Sequence, residues 1–203
     1  MKTETVNFNQ VKTKTMKKKI FKMVLAAVLV TSFVSCDDDA PEIINEDEVI
    51  TTLEYTLVNE NDDTNVVVLK SFDSDGDGPN SPVLTTEGTL QANSTYAGAV
   101  RFLNETDPQD VDNITEEVAE EALDHEVFYA TPVSGLKISK VDNDSAGNPL
   151  GLRTKFTTGA AATGNLTITL IHLPKKPNDN TVSDARSTGG EPDIAETFSL
   201  NIQ

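Results

Sequence analysis

The chain of 203 residues is 37% hydrophobic, has no Trp and a single Cys, and carries a formal charge of −17 at neutral pH. That is enough chain to bury the core of one domain and too little for a two-lobed enzyme. Seven of the 16 basic residues but only one acid, Glu4, fall in the first 35 positions. The remainder is therefore strongly acidic and repels nucleic acid and anionic lipid headgroups alike, which argues against DNA or RNA as partners.

At the amino end, Lys17-Lys18-Lys19 precede an apolar run from Met23 to Val34 and then Ser35-Cys36. A basic patch, a short apolar run and a small residue at the cut are the parts of a secretory signal peptide. The run is shorter than the roughly 20 residues a bilayer-spanning helix needs. Residues 1–35 read as this leader, with Met16 as an alternative start. Phe33-Val34-Ser35-Cys36 resembles the lipobox of bacterial lipoproteins, with Phe33 where Leu is usual. The resemblance makes Cys36 the lipidation site, its thiol carrying a diacylglyceryl group and its freed amine a further acyl chain. Two or more chains anchor a protein to a membrane stably. A lone Cys cannot form an internal disulfide, so the rest of the chain must fold without covalent staples.

Residues 36–48 hold Asp37-Asp38-Asp39 and Glu46-Asp47-Glu48 and read as a disordered, flexible acidic tether. The cluster after Cys36 also resembles the export signal that sends Bacteroidetes lipoproteins to the outer face of the outer membrane. Residues 49–203 read as the folded domain. Its first run alternates Leu53, Tyr55 and Leu57 with polar residues, and the next places Val66, Val68 and Phe72 at one parity. Tyr96, Val100 and Phe102 continue the period of two, followed by Leu136 with Ile138, Leu152 with Phe156, the set Leu166, Ile168 and Leu170, and finally Phe198, Leu200 and Ile202. Period-two runs broken by Gly, Asn, Asp and Pro turns predict half-buried strands. About eight of them predict an all-β fold, an antiparallel β-sandwich of immunoglobulin-like, Greek-key type.

One helix crosses between strands. Ile114, Val118, Ala122, Leu123 and Val127 fall at helical spacing after Asp112-Asn113 as N-cap, so the helix is expected to run to about His125. Pro174–Asp193, with its Pro, Gly, Asn and paired Lys175-Lys176, reads as a long mobile loop presenting a positive spot on an acidic surface.

Two constellations could hold metal. Asp73, Asp75 and Asp77 alternate ahead of Gly78, as at the start of an EF-hand-type calcium loop, but position twelve is Leu84 and no helix follows. The same residues also suit a tight hairpin turn. Asp142-Asn143-Asp144 is a weaker echo. Glu121, His125 and His172 are the transition-metal candidates: His125 lies one helical turn after Glu121, and His172 ends a strand at inward parity. Imidazole with carboxylate suits zinc or copper. Enzyme chemistry is not expected: no Gly-x-Ser-x-Gly elbow occurs, the one Cys is committed to lipid, and three Tyr without Trp make a poor sugar-stacking face.

Several stretches together resemble small lipoproteins of Flavobacteria and related Bacteroidetes that carry the label "type 1 periplasmic binding fold superfamily": Asp73–Asn80, Ala122–Phe128, Gly147–Leu152, Gly164–Pro177 and Phe198–Gln203. The strand pattern predicts a sandwich rather than the two α/β lobes that label denotes. The resemblance brings no established activity with it. Asp144-Ser145-Ala146 also resembles a short Bacteroidetes O-glycosylation motif. Taken together, the expectation is an outer-membrane lipoprotein facing outward (the periplasmic face is the alternative). It would act as a non-enzymatic ligand-, metal- or partner-binding accessory module, held by lipid at Cys36 and docking on a transport or adhesion complex. The alternative is a purely structural envelope protein with a calcium-rigidified turn.

Overall fold

A computed structural model describes residues 49–76, 78–178 and 188–203. Cys36, the leader and the acidic tether lie outside the described residues, as does Asp77. The regular structure opens on a hairpin, β1 (Thr52–Asn59) against β2 (Asp62–Phe72). Leu53, Tyr55 and Leu57 are buried, as their alternation predicts. The ladder sets Leu57 opposite Val67, Tyr55 opposite Leu69 and Leu53 opposite Ser71. Directly opposed residues share a face, so Val67, Leu69 and Ser71 turn inward, not Val66, Val68 and Phe72 as expected. A run of Val-Val-Val-Leu is apolar at both parities, and only the partner strand decides which one is buried.

β3 (Val83–Glu87) pairs with the far edge of β2, and β4 (Thr95–Leu103) with the far edge of β1. Three successive strands with a fourth returning beside the first make a Greek key. After the helix come β5 (His125–Ala130), β6 (Lys137–Lys140), β7 (Arg153–Thr157), β8 (Ala162–His172) and β9 (Glu191–Ile202). The larger sheet has the order β3-β2-β1-β4-β7-β6 and the smaller β5-β8-β9, with every pair antiparallel. Tyr96, Val100, Phe102 and Phe156 from one sheet share a core with Leu166, Ile168, Leu170, Phe198, Leu200 and Ile202 from the other. The fold is an antiparallel β-sandwich.

Close approach in this core depends on Gly98. A Cβ there would lie 2.5 Å from the Tyr55 hydroxyl and 2.3 Å from Thr154 Oγ1. Those two oxygens are hydrogen-bonded at 2.6 Å, which satisfies a buried phenol. Each edge strand of the smaller sheet is tied at one point to a neighbouring connection. Val127 donates from β5 to the Leu150 carbonyl, and the end of β9 pairs with the connection before β4 through Ala92, Leu90 and Gln203.

The helix is shorter than expected. α1 spans Ile114–Glu120, buries Ile114 and Val118 and is docked on β4 by Thr115, whose hydroxyl bonds both the amide and the carbonyl of Phe102. Asn113 is the N-cap, but its side chain donates to the Glu116 carboxylate rather than capping the backbone. Residues 121–124 form turns, and the chain then becomes β5, so Val127 faces the core from a strand. Of the stretch expected as a mobile loop, Lys175 donates to the carbonyl of Thr188, and 191–193 already belong to β9; residues 179–187 lie outside the described residues. Among the described residues no helix is long and apolar enough to cross a membrane.

Candidate functional site

The two histidines meet. His125 opens β5 and does not end the helix, because the turns after Glu120 release the chain into a strand. His172 ends β8, and the ladder places the two directly opposite each other. They share the inward face with Val127 and Leu170. Their rings stack with centroids 4.9 Å apart and planes inclined by 16°. His125 is only 2% exposed.

The third strand contributes a carboxylate. In β9, Ile194 pairs with Leu170 and Pro192 with Ile171, so Asp193 is the extra residue of a β-bulge. Bulges re-aim a side chain out of the regular alternation. Here Asp193 Oδ2 comes 3.9 Å from His125 Nε2. The other ring nitrogen, Nδ1, lies 3.2 Å from the main-chain carbonyl of Glu121. A carbonyl only accepts, so Nδ1 carries the proton in the neutral ring and Nε2 presents its lone pair. Burial lowers the pKa of His125 below that of an ordinary imidazole. The Glu121 hydrogen bond opposes this, the neighbouring His172 adds to it, and the charges of Glu121 and Asp124 oppose it.

Glu121 therefore meets His125 through its main chain, while its side chain is exposed. Asp193 stands in the place sought for a third ligand. No sequence signal marks it, because it falls in the stretch read as loop and faces the site only through the bulge. Gly190 secures the turn into β9: with φ of +76°, its Cβ would lie 2.2 Å from the His172 carbonyl, so only glycine fits.

Beside the histidines lies a buried ionic network that also escaped the sequence reading. Glu126 (1% exposed) bonds Lys140 (10% exposed) at 2.5 Å and accepts from Asn178 at 2.7 Å. The Lys140 ammonium also sits 4.2 Å from the Phe128 ring centroid. Burial lowers the pKa of Lys140, and Glu126 opposes the shift. Lys176, expected as a surface charge, is 7% exposed at its side chain. Its ammonium donates to the carbonyls of Ala122 and His125, each at 2.6 Å, and to Asp144 Oδ2 at 3.2 Å.

That arrangement answers the Asp142-Asn143-Asp144 motif. Asp142 accepts the amides of Gly151 and Arg153, and Asp144 those of Ala146 and Asn148. Burial would raise the pKa of Asp144, but Asn148 and Lys176 outweigh it and hold the carboxyl below its usual range. The Lys176 ammonium thus serves as the internal cation of this loop. Ser145, at its tip, is exposed.

At the calcium candidate, Asp73 accepts the Asp75 amide, and Asp75 Oδ2 accepts both the amide and the side-chain amide of Asn80. Asp75 Oδ1 is buried and takes no hydrogen bond among the described residues. Glu196 of β9 approaches from the other sheet. Burial raises its pKa, Ser71 opposes that by hydrogen bonding, and the Asp73 charge reinforces it. Among the described residues no three His, Cys, Asp or Glu side chains already stand in metal-binding geometry. A cleft of about 700 Å³ opens between α1 and the 142–153 segment, floored by Val100, Leu150 and Leu152 and rimmed by Glu120, Asp124 and Asp142. Comparison with protein-family models, with curated proteins and with solved structures returns no match.

Proposed function

We propose that the chain is a lipid-anchored module of the bacterial outer membrane that holds a ligand rather than transforming one. The observation that carries the binding role is the convergence of His125, His172 and Asp193 at one end of the smaller sheet. The nearest inward positions, Val127 on β5 and Leu170 and Ile168 on β8, are apolar. Polar groups placed there cost stability unless they are used. The anchoring role is supported by the leader ending at Ser35-Cys36 and by the acidic residues that follow. Acyl chains on Cys36 would hold the module, residues 36–48 would give it reach, and its loops would meet a ligand or a transport or adhesion complex at the surface.

Fractionation of cells producing the wild-type and Cys36→Ala chains tests the anchor. The wild type is expected in the outer-membrane fraction, open to protease on intact cells, and the variant in the soluble fraction. Membrane retention of Cys36→Ala refutes the assignment.

One observation favours a second reading, a structural envelope protein with a calcium-rigidified turn: Asp75 Oδ1 is buried without a hydrogen bond among the described residues. Calcium would complete its shell with Asp73. That reading predicts a calcium-dependent rise in melting temperature that disappears in Asp75→Ala, and an unchanged melt in chelator discards it.

A further inference from the structure

We propose that His125, His172 and Asp193 form a site for a borderline-soft divalent transition metal of the zinc and copper class. This gives the binding reading its ligand class and rests on that reading for the module's role. The anchor at Cys36 stands or falls separately.

Each of the three strands of the smaller sheet supplies one group, so the backbone ladder and not a loop sets their spacing. Two imidazoles sharing one ion, with metal–nitrogen bonds of about 2.0–2.1 Å, place their ring centroids roughly 5 Å apart. The observed separation is 4.9 Å. An ion bonded to a nitrogen and a carboxylate oxygen at about 2.0–2.2 Å each bridges at most about 4.2 Å, and roughly 3.4 Å at a tetrahedral angle. The Nε2–Oδ2 distance of 3.9 Å falls between these limits. Binding requires the nearly parallel rings to tilt toward a common point.

The surroundings agree. Metal-ligating imidazoles usually donate their other N–H to a carbonyl, which fixes the tautomer. The Glu121 carbonyl takes that part for His125, leaving the Nε2 lone pair to face a carboxylate. Three protein ligands leave the fourth position of a zinc ion open to water or to a bound molecule.

The test uses the full, untagged chain carrying Cys36→Ser, so that the thiol cannot compete for metal, stripped with chelator and titrated with zinc. Because the sequence contains only two histidines, their imidazole nitrogen resonances report on this site alone. One equivalent of zinc at pH 7.5 should shift both sets of resonances and produce a saturable heat. His172→Asn and Asp193→Asn should each weaken the affinity tenfold or more. Resonances of both histidines that do not move with zinc would overturn the proposal, whatever the variants do. So would wild-type affinity in both variants.

Discussion

The Lys176 ammonium lies 3.2 Å from the Asp144 carboxylate and 2.6 Å from the carbonyl of His125, tying the segment after β8 to the strand that opens the candidate site. All three of its protons are used, two on main-chain oxygens and one on a carboxylate. A short-range connection in space thus joins residues 32 and 51 positions apart in sequence.

Removing one member of a buried pair leaves the other charge uncompensated, which typically costs about 3–5 kcal/mol. Lys176→Met should lower the unfolding free energy by that order in urea melts. Adding Asp144→Asn should recover much of the loss, because the amide oxygen can still accept from Ala146 and Asn148. A Lys176→Met chain as stable as wild type would show that the ammonium is not the loop's counter-ion.

The pKa of His125 is lower in the folded chain than the roughly 6.5 of the unfolded one. Above that value the ring is neutral in both states and the folded arrangement keeps its full stability. As pH falls below it the unfolded chain takes up a proton first, so stability falls toward the lower, folded-state pKa. Urea midpoints at pH 7.5 and 5.5 should differ more for wild type than for His125→Gln. Equal differences would remove His125 from the pH response.

Glu196 has the opposite sign. An acid whose pKa is raised by folding carries a penalty at pH above it, where it is ionised in both states. Glu196→Gln should therefore stabilise the chain at pH 7, by less than about 1 kcal/mol because the group is partly open to solvent. The gain should vanish by pH 4. Destabilisation at pH 7 would mean that the carboxylate makes a favourable contact.

Gly98→Ala would drive a methyl group against the Tyr55 hydroxyl and Thr154 Oγ1. Overpacking of this kind typically costs about 1–3 kcal/mol. The same variant should disturb the Tyr55–Thr154 hydrogen bond, visible as a changed tyrosine near-ultraviolet circular dichroism signal. An unaltered melt would show that the Tyr55 and Thr154 side chains yield to the methyl group without penalty.

Much of the sandwich is legible in single strands. Leu53, Tyr55 and Leu57, like Leu166, Ile168 and Leu170, alternate with polar neighbours, and one face is buried. Where both parities are apolar, as in Val66-Val67-Val68, the face is set by register against β1, a relationship between strands that no single run contains. Val127 fits a helical period by coincidence of spacing, and the chain leaves the helix before reaching it. At the site, the strand-end position of His172 is readable from parity. Its pairing with His125 depends on strand order, and the part played by Asp193 depends on a bulge. Lys176 reads as a surface charge because nothing local shows that a carboxylate 32 residues earlier is buried beside it.

Crystals of the full chain grown with zinc, with anomalous data collected at the zinc edge, examine the site most directly. A single strong peak within bonding reach, about 2.0–2.2 Å, of His125 Nε2, an Asp193 carboxylate oxygen and a His172 nitrogen is the expected result. Peaks confined to surface carboxylates, with the two rings still stacked and unligated, would contradict it.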